Sequence, residues 1–497
     1  MTVLQSYLAA RGSAADPGLV ATIANLENVA GVLPEVVRAI VQELEDQRSH
    51  LKMIASENYS SLAVQCAMAN LLTDKYAEGF PQHRFYAGCD NVDSIEERAC
   101  ALARSLFGAE HAYVQPHSGA DANLVAYWAI LSKRVQEPAL EKLGIKDLSK
   151  IERSDWEKLR ADLSRQKLMG LNYYSGGHLT HGYRHNVSAR IFDCVSYDVD
   201  PKSERLDYES IRAMALRERP LILLAGYSAY PRLIDFKKMR QIADEAGATF
   251  MVDMAHFAGL VAGKVFTGDH DPVAHAHVVT STTHKTLRGP RGGIVLCKSE
   301  YSEWVDKGCP MVLGGPLPHV IAAKAVAFAE AAKPEFRDYA ARIVKNSKAL
   351  AAALTEKSVR LTSGGTDNHL MVLDVRAFDL SGRQAESVLR EALITLNRNS
   401  IPFDPNGPWY TSGVRIGTPA LTTLGMGESE MREIAAVIHL VLSHTRPAAS
   451  KDGGKSQAKY EVAPQALTEA QSRVRALLSR YPLYPGLDLA LLKQIAG

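Results

Sequence analysis

A lysine lies a few residues after a strand-like apolar segment, where its amine could act as a nucleophile. The segment Val278–Ser281 is short and β-branched, and it runs into Thr-Thr-His284-Lys285 and then a glycine-rich loop. A lysine at the carboxyl end of a buried strand can be desolvated, which lowers its pKa and makes the amine nucleophilic. A lone loop lysine is more often simply exposed, so this prediction depends on the residues around Lys285.

The preceding strand-like segment, Thr249–Asp253, ends in a carboxylate and is followed by His256. A carboxylate after an apolar run is costly to bury unless it pairs with a cation. A protonated pyridine nitrogen is such a cation, and a Schiff-base lysine beside an aspartate is typical of pyridoxal phosphate sites. The alternative for Asp253 is a structural role as a helix cap.

Two further segments could complete such a site. Ser118 and Gly119 follow the short apolar segment Ala112–Val114 and open a helix, whose N-terminus favours an anion such as phosphate. An ordinary helix cap is the alternative. His178 and His181 lie among glycines, but a metal site lacks a third ligand in the sequence. We therefore predict no metal and expect His178 to stack on an aromatic cofactor ring.

The elements that position these residues alternate between strand and helix. The short apolar segments are Ile191–Val195, Leu221–Ala225, Thr249–Asp253, Val278–Ser281 and Gly293–Leu296. They predict strands that are buried on both faces, and a helix from Phe236 to Ala246, capped by Asp235 and ended by Gly247, lies between two of them. This alternation predicts an α/β fold with a mostly parallel sheet, whose ligands bind at the carboxyl ends of the strands.

The rest of the chain divides by composition. We predict an N-terminal extension over 1–33, a large domain over 34–320 with a charged helical insertion at about 131–169, and a smaller α+β domain over 321–445. Residues 446–497 are predicted to be a linker, to about Lys459, followed by a helix at about Pro464–Ser479.

Two helices of the large domain have predicted ends and faces. The first spans Pro34–His50 with Val36, Ile40, Val41 and Leu44 on its apolar face. The second begins near Asp93, which we expect to form a capping box with Glu96, and ends at Gly108.

Composition limits the class of protein. The 497 residues carry a formal net charge of +2, which predicts neither a nucleic-acid nor a membrane partner. The six cysteines form no Cys-x-x-Cys pair, and no secretory signal or membrane-length apolar run is present. We therefore expect a cytoplasmic enzyme.

Several motifs in order give the chain a resemblance to the serine hydroxymethyltransferase family, over about residues 35–445. The motifs are Met53–Asn58, Asp74–Gly79, Gly176–Gly182, Val252–His256, Thr282–Lys285, Ser363–His369 and Ser412–Pro419. The resemblance implies fold type I of the pyridoxal-phosphate transferases, in which a large domain precedes a smaller C-terminal one. It also implies a homodimer with shared active sites, or a dimer of dimers.

The resemblance assigns roles around the cofactor ring. Lys285 is implied to form the Schiff base, and Asp253 to keep the pyridine nitrogen protonated. His178 is implied to stack on the ring, while Ser228 and His256 lie by its phenolic oxygen.

The resemblance also places the phosphate and the amino acid. Ser118, Gly119 and His284 are implied to hold the phosphate, together with Tyr76 and Gly315 of the partner subunit.

Arg415, helped by Ser56, is implied to bind the substrate carboxylate. Glu78, from the partner subunit, is implied to lie beside the transferred hydroxymethyl group with Tyr86, and His256 also faces the substrate.

The folate side departs from the family pattern. Phe85 stands where a Tyr is usual, Phe403 replaces an Asn, Tyr173 replaces a Leu and Leu313 replaces a Gln. The reaction implied is reversible transfer of the serine hydroxymethyl group to tetrahydrofolate, which gives glycine and 5,10-methylenetetrahydrofolate. The departures lead us to expect altered folate binding.

Two alternatives remain at this point. The first is another enzyme of the same fold, a threonine aldolase or an alanine racemase, with weak use of folate. The second is a non-catalytic regulatory or RNA-binding relative, against which the presence of Lys285, Asp253 and Arg415 argues.

Overall fold

The computed structural model describes residues 2–450 and 453–497 and gives the elements the following bounds. The helices are α1 (Val3–Arg11), α2 (Pro17–Ala30), α3 (Pro34–Ser49), α4 (Leu62–Cys66), α5 (Asp90–Phe107), α6 (Gly119–Leu131), α7 (Glu137–Leu143), α8 (Arg153–Ser164), α9 (Ser188–Ile191), α10 (Tyr208–Glu218), α11 (Phe236–Ala246), α12 (Ala258–Ala262), α13 (Pro272–His275), α14 (Ser302–Asp306), α15 (Gly308–Met311), α16 (Pro318–Ala331), α17 (Pro334–Glu356), α18 (Gly382–Glu391), α19 (Pro419–Thr423), α20 (Glu428–Ser443), α21 (Pro464–Arg480) and α22 (Leu489–Ala496). The strands are β1 (Leu51–Lys52), β2 (Gly79–Phe80), β3 (His83–Arg84), β4 (His111–Tyr113), β5 (Lys167–Leu171), β6 (Asp193–Tyr197), β7 (Ile222–Gly226), β8 (Thr249–Asp253), β9 (Val278–Thr282), β10 (Gly293–Cys297), β11 (Arg360–Leu361), β12 (Leu370–Asp374), β13 (Ile394–Thr395), β14 (Asn397–Asn399), β15 (Gly413–Gly417), β16 (Thr445–Ala449) and β17 (Lys455–Val462).

The central sheet has seven strands in the order β4-β10-β9-β8-β7-β5-β6. The five strands from β9 to β6 are parallel, and β10 runs antiparallel to both of its neighbours. Every residue of β7, β8 and β9 is buried, because their apolar side chains pack into cores on both faces. The predicted mostly parallel α/β sheet is confirmed.

The parallel strands place their carboxyl ends along one edge of the sheet, where ligands bind in open α/β sheets. Strand β8 ends at Asp253, and β9 ends three residues before Lys285. Strand β7 ends two residues before Ser228, and β5 is followed by the turn that contains His178. The sheet topology therefore brings segments that are distant in the chain to one site.

A smaller antiparallel sheet, β11-β12-β15-β14, follows α17 and carries Arg415 in the middle of β15. Its apolar side chains form a core with α18, α20 and α21, and with Leu51 from the first part of the chain. Strand β1 pairs with β13, so the chain before the large sheet also contacts this smaller unit. The smaller α+β unit is as predicted, and the exact domain limits stay a prediction.

The predicted capping box of α5 is wrong. The helix begins at Asp90, and Asp93 and Glu96 point inward and are buried. Arg84 donates from Nε to Asp93 at 2.8 Å and from Nη2 to Glu96 at 2.7 Å. Both carboxylates pair with this guanidinium because they are too buried to be left without a cation. The predicted end at Gly108, in a left-handed conformation, is confirmed.

Two boundaries around the sheet also differ from the sequence prediction. The helical insertion does not continue to Met169, because Lys167–Leu171 is the interior strand β5. Strand β6 is not buried on both faces, since it lies at the edge of the sheet with Asp193 and Ser196 exposed. Helix α3 ends as predicted, but Val37 and Val41 are buried while Val36 and Ile40 are exposed.

The two ends of the chain are more ordered than predicted. The segment assigned to a linker instead forms a hairpin, in which β16 pairs antiparallel with β17; Lys451 and Asp452, within that predicted linker, lie outside the described residues. The N-terminal extension contains α1 and α2, which pack with α3 and α22 around a shared apolar cluster. Among the described residues, no helix combines the length and the apolar character that crossing a membrane requires.

Candidate functional site

Two adjoining cavities open at the carboxyl edge of the large sheet, with volumes of about 480 and 380 Å³. Both are lined by Ser56, His178, Ser228, His256 and Lys285. The larger cavity continues to Arg415 and Tyr173, and the smaller one continues to Asp253, Ser118, Gly119 and His284. The structure thus brings together the residues predicted to hold the ring, the phosphate and the substrate carboxylate.

Lys285 is partly buried and lines both cavities at their junction. Burial lowers the pKa of Lys285 to about 8; Asp253 opposes this shift, and the positive charges of Arg415 and Arg291 add to it. The backbone carbonyl of Lys285 accepts a hydrogen bond of 2.9 Å from Asn58. A fixed and largely desolvated lysine with this pKa can act as a nucleophile near neutral pH.

The carboxylate of Asp253 stays charged although it is buried. Burial alone would raise the pKa of Asp253, but hydrogen bonds from His181 and Asn123 lower it well below its usual range. The two donors are Nε2 of His181 at 3.1 Å and Nδ2 of Asn123 at 2.9 Å. The backbone N–H of His178 donates to Nδ1 of His181, so the proton of His181 lies on Nε2, toward Asp253.

The sequence suggested no third ligand for a metal beside the two histidines, and the structure supplies one in Asp253. Ligand atoms of His178, His181 and Asp253 lie within 4.8 Å of one another. However, Nε2 of His181 is hydrogen-bonded to Asp253, and Nδ1 of His178 lies 2.7 Å from the hydroxyl of Thr180. Burial lowers the pKa of His178 to about 4, so its imidazole is neutral and suited to stacking.

The far end of the smaller cavity has the features of an anion site. Ser118 caps α6 by accepting a hydrogen bond from the backbone of Asp121, so the helix N-terminus faces the cavity. A side chain on Gly119 would put its Cβ 2.7 Å from Thr282, which leaves only glycine room there. Burial lowers the pKa of His284 to about 3, so it is neutral in the free pocket.

The guanidinium of Arg415 is partly buried and positively charged in the larger cavity. Its Nη1 donates to the carbonyl of Ser228 at 2.7 Å, and its Nε donates to Oδ1 of Asn397 at 3.1 Å. Burial lowers the pKa of Arg415 to about 10, and within the described residues it forms no ion pair. A partly buried cation held only by neutral groups is suited to bind a carboxylate.

The structure does not bring the residues predicted to act across a subunit boundary to these cavities. Tyr76, Phe85 and Tyr86 are 56%, 66% and 47% exposed. The rings of Tyr76 and Tyr86 meet edge to face at 4.9 Å, and a Cβ on Gly315 would lie 3.4 Å from the Tyr76 ring. These residues and Glu78 lie in one region of the chain's surface, apart from the cavities that contain Lys285.

The residues predicted to lie on the folate side do not all line the same cavity. Tyr173 lines the larger cavity, whereas Phe403 is 55% exposed and does not line it. Leu313 is buried in an apolar cluster with residues of α6.

Sequence reasoning missed several polar residues of the site. Asn123 and His181 contact Asp253, Asn397 contacts Arg415, and His369 contacts His256. Arg291 and Glu57 line the smaller cavity. Three of these residues lay within motifs already recognised, Glu57 in Met53–Asn58, His181 in Gly176–Gly182 and His369 in Ser363–His369. Sequence spacing alone did not indicate their partners.

Comparison with known proteins agrees with this geometry. The family model described as serine hydroxymethyltransferase matches residues 29–142 and 161–438. A protein named serine hydroxymethyltransferase from Treponema pallidum is 60% identical over 99% of this chain and 86% of its own length. Proteins of the same name from Salinispora tropica and Mycolicibacterium smegmatis are each 56% identical, over 93% and 96% of this chain and 97% and 96% of their own lengths. The chain belongs to the serine hydroxymethyltransferase family.

Proposed function

We propose that the chain binds pyridoxal 5′-phosphate at Lys285 and reversibly transfers the hydroxymethyl group of serine to tetrahydrofolate, with glycine and 5,10-methylenetetrahydrofolate as products. The observation that carries the proposal is the largely desolvated Lys285 amine, with a pKa of about 8, beside Asp253 and Arg415 in connected cavities. The family membership favours this activity over an aldolase, a racemase or a non-catalytic relative.

The residues of the smaller cavity fit this cofactor. The anionic carboxylate of Asp253 has neutral hydrogen-bond partners, so it can pair with a protonated pyridine nitrogen. The N-terminus of α6, with Ser118 and Gly119, suits a phosphate group. Lys285 lies between the two cavities and would hold the aldehyde. When bound, the cofactor accepts the electron pair released as a Cα bond of the amino acid breaks.

The residues of this chain then select the bond that breaks. Arg415 would bind the substrate carboxylate through its guanidinium fork, with the hydroxyl of Ser56 beside it. This contact fixes rotation of the amino acid about its N–Cα bond, so that one chosen bond at Cα is aligned for cleavage. Ser228 and His256 line both cavities between Arg415 and the ring site, where they can hydrogen-bond the ligand.

We further propose that the site is completed in a homodimer. Tyr76, Glu78, Tyr86 and Gly315 share a surface region, and exposed aromatic rings of this kind are enriched in protein interfaces. In the proposed dimer this region contributes to the neighbouring subunit's site. Glu78 would supply the acid beside the hydroxymethyl group, and Tyr86 the neighbouring phenol. Tyr76 and Gly315 would contact the phosphate.

We also propose that folate binds more weakly than the family pattern implies. Phe403 has no side-chain hydrogen-bonding group where an Asn is usual, and one lost hydrogen bond costs about 0.5–1.5 kcal/mol. Serine turnover with and without tetrahydrofolate, compared with cleavage of allo-threonine and racemisation of alanine, measures the balance. Folate affinity in the range of relatives with the usual residues would contradict this part of the proposal.

Replacing Lys285 tests the main proposal. The wild-type protein supplied with pyridoxal phosphate should absorb visible light, and borohydride should fix the cofactor on the Lys285 peptide. Lys285→Ala should lower glycine formation by about 10³-fold or more, because the nucleophilic amine is lost.

Lys298→Ala is the matched control, because Lys298 also follows the end of a strand of the sheet. Strand β10 is antiparallel, so Lys298 lies at the opposite edge, where it pairs with Glu110. It should keep wild-type activity. Unchanged turnover in Lys285→Ala would overturn the proposed function.

A further inference from the structure

A second histidine lies directly behind His256, outside the set of residues with proposed roles. His369 precedes β12 and is fully buried, at 0% exposure. Its Nε2 is 3.3 Å from Nδ1 of His256, and the ring centroids are 5.5 Å apart. The large domain supplies His256 and the small domain supplies His369, so the contact joins the two units at the cavity wall.

Both imidazoles are neutral, so each ring carries one N–H, and only one of these two N–H groups can lie in the contact between them. Burial lowers the pKa of each ring, and the positive charges of Lys285 and Arg415 lower both further. One nitrogen must therefore donate an N–H and the other must accept it. Two arrangements satisfy this condition, and they differ in which atom of His256 carries a proton.

The outer nitrogen of His369 decides between the two arrangements. Its Nδ1 is buried and has no hydrogen-bond partner among the described residues. If His256 donated to Nε2 of His369, then Nδ1 of His369 would carry a buried, unpaired N–H. If His369 donates from Nε2, its Nδ1 is only an unpaired acceptor. Orphaned buried N–H groups are rarer than under-satisfied acceptors, so the second arrangement is favoured.

We propose that His369 is a positioning residue that donates its Nε2–H to Nδ1 of His256 and thereby fixes the proton of His256 on Nε2. Nε2 of His256 makes no hydrogen bond to the described part of the chain, and His256 lines both cavities. His256 is then a fixed hydrogen-bond donor to the ligand rather than an acceptor. The catalytic consequence rests on the proposed function, whereas the proton position does not.

Nitrogen NMR of the full-length protein, isolated with its cofactor and labelled with ring-¹⁵N histidine, tests the proton position directly. The His256→Asn spectrum identifies the His256 signals. We expect Nδ1 of His256 in the range of an unprotonated nitrogen and Nε2 in the range of a protonated one. The reverse pattern in the wild-type protein would overturn the proposal, whether or not the protein transfers hydroxymethyl groups.

Two variants separate positioning from packing. His369→Leu fills the space without a donor and should give His256 a mixture of both tautomers, with kcat/KM about tenfold lower, or about 1.4 kcal/mol. His369→Gln retains an N–H near the position of Nε2 and should restore the single tautomer and most of the activity. A folded His369→Leu protein with the wild-type tautomer would also overturn the proposal.

Discussion

The amine of Lys285 has a pKa far below that of an ordinary lysine. Burial lowers the pKa to about 8, Asp253 opposes the shift, and Arg415 and Arg291 add to it. At pH 8 about half of the amine is neutral, against roughly 0.4% for a lysine with the usual pKa of about 10.4. The pocket thus supplies a nucleophile without a separate general base.

We expect the reactivity of Lys285 to titrate with a midpoint near pH 8. In cofactor-free protein, the rate at which pyridoxal and borohydride modify this residue should rise through that midpoint, followed by mass spectrometry of the Lys285 peptide. Asp253→Asn should lower the midpoint further, because Asp253 raises the pKa of Lys285. Lys298, which is partly buried and pairs with Glu110, provides the internal control. A Lys285 modification rate that does not change through this pH range would contradict the prediction.

The same shift affects stability with a defined sign. The pKa of Lys285 is lower in the folded protein than in the unfolded chain, so the unfolded chain binds more protons between about pH 8 and 10.4. The Lys285 contribution therefore becomes more favourable to folding as pH rises through this window. Lys285→Met should remove that contribution from the pH dependence of unfolding.

Phe403 combines a bulky side chain with a backbone that does not suit it. Its φ is +55°, in the left-handed region, where Asn is far better tolerated than an aromatic residue. Its ring is more than half exposed, so little apolar burial would be lost on replacement. Phe403→Asn should raise the free energy of unfolding by about 0.5–1 kcal/mol, measured by urea denaturation.

The same substitution should tighten tetrahydrofolate binding by about 2–10-fold, since it adds the amide that the family pattern contains. Isothermal titration measures this change. Phe403→Ala is the control, because it removes the ring without adding an amide. An equal gain in affinity from both variants would show that the ring, rather than the missing amide, limits binding.

Residue types at strand ends were enough to predict that Lys285 and Asp253 lie in one site, because Asp253 ends one apolar run and Lys285 closely follows the next. They were not enough for its supporting contacts. Asn123 is 130 positions from Asp253, and His256 is 113 positions from His369. Such contacts depend on how the strands and domains are arranged, which local spacing does not encode.

One side chain connects several elements around the nucleophile. Nδ2 of Asn58 donates to the carbonyl of Lys285 at 2.9 Å and to the hydroxyl of Tyr339, on α17, at 2.6 Å. Oδ1 of Asn58 accepts from Thr423, at the end of α19, at 2.7 Å. The loop between β1 and α4 therefore connects the Lys285 loop to the helices of the smaller unit.

Asn58→Ala should lower the free energy of unfolding by about 2–3 kcal/mol and weaken cofactor binding by about tenfold. Asn346→Ala is the matched control. Asn346 is a buried asparagine on α17 whose two hydrogen bonds, to Thr422 and Met426, lie away from the cavities. The Asn346→Ala protein should have a lower free energy of unfolding but an unchanged affinity for the cofactor, which fluorescence titration measures. Equal loss of affinity in both variants would indicate a purely global effect.

The elements that were predicted well are those with strong apolar patterns and clear ends, such as α11 and β8. The failures have identifiable causes. Strand β5 was not predicted, because the charged residues of α8 precede it and the segment was therefore assigned to the helical insertion. Residues 446–459 are rich in proline, serine, glycine and lysine, yet pairing with β16 makes Lys455–Val462 a strand. Tertiary pairing overrode local propensity there.

If the sites are shared in a dimer, a dimer formed from two different inactive variants should regain activity. Lys285→Ala and Glu78→Gln should each be nearly inactive as pure proteins. If Glu78 acts in the site of the partner subunit, a hybrid of the two variants regains one intact site, and the purified hybrid should have about half of wild-type activity. Differently tagged subunits, co-expressed and purified over two affinity columns, provide the hybrid.

The control hybrid combines Lys285→Ala with Asp253→Asn. Both residues line the same cavity of the same subunit, so neither site of this hybrid would be intact. It should remain inactive. Recovery in neither hybrid would contradict the proposed sharing of sites, while leaving the proposed chemistry at Lys285 unaffected.

The apolar cluster shared by α1, α2, α3 and α22 cannot be completed until the end of the chain has been synthesised. Helices α2 and α3 leave the ribosome early, but Leu492, one of their buried partners, is near the other end of the sequence. At the usual speed of translation the wait is roughly 20–90 s. During that interval Leu19, Ile23 and Leu26 lack some of their apolar packing partners. The growing polypeptide therefore exposes a hydrophobic surface to which a chaperone can bind.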